Sequence, residues 1–137
     1  MGKTAFSGPV YGAKATLLTF TTSAGSTLVP AQATVPAGEE WVATELMLYR
    51  QSTGSTAFGM GLYDDSTLVS SVTITSSLAA QDKTLIITAD ASEYEGKVIA
   101  AGSVVKLTLD STSLANAPVT GTLRGYTRFV SSSLRGE

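Results

Sequence analysis

A chain of 137 residues with 9 Lys and Arg against 11 Asp and Glu carries a formal charge of -2 at pH 7, which offers no general attraction to nucleic acid or to an anionic membrane. It contains no cysteine and no histidine. Disulfides, thiolate nucleophiles, Cys-ligated zinc, the commonest general base and the commonest metal ligand are therefore excluded together.

Charged residues make up only 15% of the chain, below the usual quarter, so Ser and Thr supply the polarity. Threonine suits a pleated strand with one wet face, and Gly and Ser suit the turns between strands. The length favours one domain, which can bury roughly 68% of its unfolded surface and needs no metal or disulfide staple. There is no apolar run long enough to span a membrane, and MGKTAFSGPVYG lacks the apolar stretch of a secretory signal, so a soluble form is expected. Met1-Gly2 does not complete a myristoylation signal, because Phe6 stands where Ser or Thr is required.

Residues 1–13 hold Gly8-Pro9 and Gly12 among isolated Phe6, Val10 and Tyr11, too punctuated for a strand or helix, and are expected to form an extended N-terminal arm. Residues 14–130 should form the folded domain, and residues 131–137 a C-terminal tail. ATLLTFTT from Ala15 alternates as a strand does. In Val35-Pro36-Ala37-Gly38, Pro and Gly occupy the second and fourth positions of an expected type I turn. The strand that follows, 41–50, is apolar on both faces, with Val42, Leu46 and Leu48 on one and Trp41, Met47 and Tyr49 on the other. That pattern belongs to a central or interface strand.

Segments 57–63 and 67–75 flank Asp64-Asp65-Ser66 as a β-hairpin, and 83–88 is a further β-rich stretch. Asp90 and Glu93 have the spacing of a capping box, which suits one helical turn. Residues 104–109 alternate, with Val105, Leu107 and Leu109 on one face. Residues 119–130 make a long strand with Arg124, Tyr126 and Arg128 on one face. An echo links Val35-Pro36-Ala37-Gly38 and Ile99-Ala100-Ala101-Gly102, each leading into a strand. About eight short strands without a long helix predict an all-β, single-domain β-sandwich or jelly roll.

None of the chemical motifs survives this reading. Ser103 and Lys106 have the Ser-x-x-Lys spacing of an activated serine, but a strand points i and i+3 to opposite faces. Gly8, Gly12 and Lys14 lack phosphate-loop spacing, and Gly59-Met60-Gly61 lacks the third glycine of a dinucleotide site. Those two glycines instead let a neighbour pack close to a strand. Asp64-Asp65 and the Asp90, Glu93 and Glu95 group fall where turns and caps favour carboxylates. Trp41, Tyr49, Tyr63 and Tyr126 are candidates for a sugar-stacking platform, or else for core and interface. Arg124 and Arg128 are candidates for binding a carboxylate-bearing partner, or else belong to a solvated face. No catalytic, metal or cofactor residue is assigned, and the chain is not expected to be an enzyme.

The segments AFSGPVYGAK, VPAGEEWVATELMLYR, AGSVVKLTLD and VTGTLRGYTRF resemble the small capsid-decoration, or cement, proteins of tailed bacteriophages. The resemblance spans most of the chain and rests on short segments. It implies a β-sandwich or jelly-roll body that assembles as a homotrimer. Its partner would be the major capsid protein, on the exterior of a virion assembled in the host cytoplasm, with no cofactor, nucleic acid or membrane. An N-terminal arm commonly clasps the shell in that family, so Phe6, Pro9, Val10 and Tyr11, with Arg124 and Arg128, become the candidate capsid or subunit contacts. The alternative is a glycan- or receptor-binding β-sandwich module of a phage tail.

Overall fold

The computed structural model describes residues 10–22, 28–50, 58–74, 81–87, 96–110 and 119–129. Their regular structure is entirely β: β1 (Val10–Tyr11), β2 (Ala15–Thr22), β3 (Ala31–Thr34), β4 (Glu39–Arg50), β5 (Phe58–Asp64), β6 (Thr67–Ile74), β7 (Gln81–Ile86), β8 (Lys97–Ile99), β9 (Val104–Leu109) and β10 (Val119–Phe129). The strands are rich in Val, Ile, Leu and Thr, residues that fit a pleated surface with one dry side.

The long strands β10 and β4 pair antiparallel at the centre of the first sheet. β1 and β2 lie end to end along the free side of β10, and β7 and β8 do the same along β4. The second sheet runs β3-β9-β5-β6. Ten segments thus fill four lanes in each sheet, which is the expected number of eight. Along the chain, β2 belongs to the first sheet, β3 to the second and β4 to the first. The β5–β6 hairpin returns to the second sheet, β7 and β8 to the first, β9 to the second and β10 to the first. This interleaving is the double Greek key of a jelly roll.

Between the sheets lies one hydrophobic core. Leu46, Leu48 and Leu123 from the first sheet meet Met60, Leu62, Ile74 and Leu107 from the second, all fully buried. Val105, Leu107 and Leu109 are the buried face of β9, as the alternation predicted.

Several local readings change. Opposite β10, the register skips Thr44 on β4 and Leu17 on β2. A β-bulge places two residues against one and reverses which face the following side chains take. Trp41 therefore joins Leu46 and Leu48 in the core, while Val42 pairs with Tyr126 on the opposite face. The expected grouping of Val42 with Leu46 and Leu48 fails for this reason.

The turn before β4 is also displaced by one residue. Glu39 N–H donates to Pro36 O at 3.2 Å, so Pro36 is the first residue and Gly38 the third. Gly38 has φ +82°, the signature of a type II turn, not type I. The echo proves to be structural: Ser103 N–H donates to Ala100 O and Gly102 has φ +85°. Two backbone bonds, Val35 N–H to Ser103 O and Gly102 N–H to Val35 O, join the two turns side by side. The arm is likewise more regular than its Gly-Pro punctuation suggested, since Val10 and Tyr11 pair with Phe129 and Arg128. The proposed capping box at Asp90 and Glu93 lies outside the described residues.

Candidate binding surfaces

The outer face of the first sheet is built in rows across β2, β10, β4 and β7. Thr21, Thr120, Tyr49 and Asp82 form one row, and Thr19, Thr122, Met47 and Thr84 form the next. Hydroxyls in both rows meet across the β2–β10 seam, Thr19 with Thr122 and Thr21 with Thr120, each at 3.1 Å. The apolar part of this face is Tyr49, 40% exposed, and Ile86, 58% exposed, with Met47 half-buried between them.

The charged part closes on itself. Lys14 Nζ lies 3.2 Å and Arg124 Nη1 3.9 Å from Glu45 Oε1. Arg128 donates from Nε to Glu40 Oε1 at 2.8 Å and also pairs with it through Nη2. Arg124 and Arg128 do share a face with Tyr126, as read from the sequence, but both face carboxylates of their own chain. With its side chain only 11% exposed, Arg128 fixes the end of β10 against β4 where the arm strand joins. Gly12 N–H donates to Thr127 O at 2.7 Å at the same place. Val10 and Tyr11 are held by backbone pairing; Phe6 and Pro9 lie outside the described residues.

The outer face of the second sheet is different. Gly59, Gly61 and Tyr63 alternate along β5 and so share this face, with Lys106 and Thr108 of β9 on one side and Leu68 of β6 on the other. Both glycines are buried, because side chains of the neighbouring strands lie over them. A β-carbon on Gly59 would lie 3.0 Å from Asp110 Oδ2 and 3.4 Å from Thr73 Oγ1. One on Gly61 would lie 3.0 Å from Thr108 Oγ1 and 3.1 Å from the Tyr63 ring.

Beside them lie two shallow, open depressions that share Tyr63, Thr108 and Asp110. The larger, of about 490 Å³, runs towards Leu28, Val29 and Lys106, and the smaller, of about 150 Å³, towards Leu68 and Thr73. Asp110 is set by a reciprocal pair of bonds: Gly59 N–H donates to its Oδ1 at 2.8 Å, and its own N–H donates to Gly59 O at 3.1 Å. At the far end, Asp65 takes φ +53°, tolerable for Asp. It is hooked to β9 by Asp65 N–H to Val104 O and Val104 N–H to Asp65 Oδ1, both at 2.8 Å.

The four candidate aromatics do not converge. Trp41 is core and Tyr63 is on the second sheet. Tyr49 and Tyr126 share the outer face of the first sheet, but their partners on and along β10 put them about 20 Å apart. Sequence reasoning did not pick out Thr108, Asp110, Leu28 or Val29 as neighbours of Tyr63. The available signal was Gly59-x-Gly61-x-Tyr63, which on a strand sets two missing side chains beside an aromatic one. Ser103 and Lys106 take no part in a common site, since Ser103 precedes β9 at the paired turns. Among the described residues, no cluster of three metal-ligating side chains occurs.

No protein-family model matches the chain, and no curated protein matches it in sequence. Among solved structures it is similar to that of infectious bursal disease virus, Gx strain, at 12% identity and TM-score 0.44, over 90% of this chain and 32% of that one. It is also similar to the virus-like particle of extra small virus from the giant freshwater prawn Macrobrachium rosenbergii, at 14% identity and TM-score 0.38, over 84% of this chain and 78% of that one. A third is GITRL from bushbaby, at 17% identity and TM-score 0.31, over 80% of this chain and 94% of that one. The chain spans about a third of the bursal disease virus chain. With identities of 12 to 17% and TM-scores no higher than 0.44, these likenesses assign no function, because one fold hosts many.

Proposed function

We propose that this protein is a virion structural protein: a decoration protein that binds the outer surface of a phage capsid and stabilises the shell. The observation that carries the reading is the outer face of the first sheet. It is a broad strand surface on which Lys14, Arg124 and Arg128 lie against Glu45 and Glu40 of the same chain and on which the apolar groups Tyr49 and Ile86 are exposed. Such a face suits adhesion to another protein, where a desolvated aromatic or aliphatic anchor supplies most of the energy. The resemblance in AFSGPVYGAK and VTGTLRGYTRF to cement proteins supports it, and in this reading the arm residues Phe6, Pro9, Val10 and Tyr11 also contact the shell; the backbone of Val10 and Tyr11 pairs with the end of β10 in the same sheet. In this reading the partners are the major capsid protein and two further copies of the chain. No nucleic acid, membrane or catalysis is involved, and avidity multiplies modest contacts.

The test is addition of purified protein to expanded capsids lacking their decoration protein. Saturating addition and a raised capsid melting temperature are expected. Ile86→Asp should abolish addition while circular dichroism shows an intact fold, and removal of residues 1–12 should weaken it. Failure of the unaltered protein to bind, or undiminished binding by Ile86→Asp, would overturn the proposal.

A further inference from the structure

The edge of a β-sheet is a row of unpaired backbone N–H and C=O groups, and proteins blunt such edges with charge, proline or brevity because a bare edge pairs with another chain. Two edge lanes of this molecule are blunted. The lane of β7 and β8 carries Asp82, Lys83 and Lys97, and β3 has only four residues. β2 and β6 are different. Each is eight residues long without a charged residue or a proline, and among the described residues each is paired along one side only.

The two bare edges also match each other. Along residues 15–21 and 67–73 the side chains run exposed, exposed, half-buried, half-buried, exposed, buried, exposed. Each strand bulges at its third residue, Leu17 against β10 and Val69 against β5, and residues 18–22 and 70–74 continue as plain strand. The match follows from an approximate twofold relation between the sheets: β2-β10-β4-β8 in the first corresponds to β6-β5-β9-β3 in the second, and the paired turns at Gly38 and Gly102 lie where the halves meet. β2 lies over β3 and β6 over β7, so the bare edges stand at opposite sides of the sandwich.

A second copy of the chain therefore offers each edge a partner of the same length, burial pattern and lack of charge. Joining β2 to β2 would leave β6 bare, and joining β6 to β6 would leave β2 bare. Joining β2 of one copy to β6 of the next uses both, and such a head-to-tail contact closes into a ring when its rotation allows, which removes open edges as a barrel does. We infer that backbone pairing between β2 of one copy and β6 of the next is the contact that holds the protein's three copies in a ring. The inference rests on the decoration reading for the number of copies. Edge pairing leaves the outer faces uncovered, so Tyr49 and Ile86 stay free for the shell.

The test is native mass measurement of the unaltered chain, of Thr21→Lys and of Ser71→Lys, each variant placing a charge at an exposed position of one edge. Three times the chain mass is expected for the unaltered protein and the single mass for each variant. An equal mixture of the two variants should give twice the chain mass, because one intact β2 and one intact β6 remain to pair. Amide exchange on the unaltered protein reads the same contact without a substitution: the outward amides of β2 and β6, which exchange fast in a bare edge, should be protected. Any other mass for the unaltered protein would overturn the inference, as would a variant that keeps the threefold mass, a mixture that stays monomeric, or fast exchange along either edge. Addition of the unaltered protein to capsids as a monomer would overturn it while leaving the decoration reading standing.

Discussion

Gly121 and Gly125 sit on the core-facing side of β10 and show how tightly single residues set this packing. A β-carbon on Gly121 would stand 2.3 Å from the Phe20 ring and 2.4 Å from Met60 Sδ. On Gly125 it would stand 1.9 Å from the Val42 carbonyl oxygen. Methionine can shift and an aromatic ring can tilt, but a paired backbone carbonyl cannot move without breaking its ladder. Gly121→Ala is therefore expected to cost about 2 kcal/mol, and Gly125→Ala more, about 3 kcal/mol or above. Gly12→Ala provides the comparison: its nearest contact would be an ordinary 3.5 Å to Thr127 O, so its effect should stay within about 0.5 kcal/mol. Urea midpoints of the three variants check the order, and equal losses for Gly12→Ala and Gly125→Ala would contradict the packing described for β10.

At the scale of elements, the two bulges beside Arg124 decide which side chains reach the core. Skipping Thr44 lets β4 present Trp41 and Ala43 inward beyond the bulge and Leu46 and Leu48 inward before it. Deleting Thr44 restores a plain alternation, which would turn Trp41 outward and Val42 inward and break the Thr44 bonds to Arg124 O and Ile87 N–H. Loss of a buried Trp alone costs about 3–5 kcal/mol, a large share of a domain's stability. The deletion variant is expected to be unfolded, or to fold with a solvent-exposed Trp41; native-like blue-shifted tryptophan emission would contradict this account, and Trp41 is the only tryptophan in the chain.

The same feature marks what the sequence could show. Where alternation ran uninterrupted, strand and buried face were both legible, as in Val105, Leu107 and Leu109 of β9. A bulge leaves no mark in a run such as VATELML, because either register keeps apolar residues on both faces, and so Trp41 and Val42 were exchanged. The β1 strand was hidden for a different reason: Gly8-Pro9 and Gly12 punctuate the sequence around it, and Val10 and Tyr11 find partners because β10 extends past the end of β2. The candidate sites were legible by face but not by neighbourhood. Arg124, Tyr126 and Arg128 do line one face, whereas Glu40 and Glu45 across the β4 seam could be placed only once the pairing was known. Likewise Gly59, Gly61 and Tyr63 advertise a shared face, but Asp110 and Thr108 reach it through the Greek-key return of β9.

For the molecule as a whole, the arrangement is two opposed outer faces on one core, the sheets being about 10 Å apart. On the first, Lys14 and Arg124 lie against Glu45 and Arg128 against Glu40, and the chain's formal charge is only -2. If the protein decorates a capsid as proposed, association through this face draws chiefly on burial of Tyr49 and Ile86. Hydrophobic association is barely screened by salt, whereas exposed charge pairs are largely screened once the Debye length falls to about 3 Å near 1 M. Capsid addition should therefore vary less than about threefold in affinity between roughly 0.05 and 0.5 M sodium chloride. It should strengthen in sulfate, which favours apolar burial. A steep loss of binding with added chloride would show that charge, not apolar contact, holds the protein to its partner, and would move the interface away from Tyr49 and Ile86.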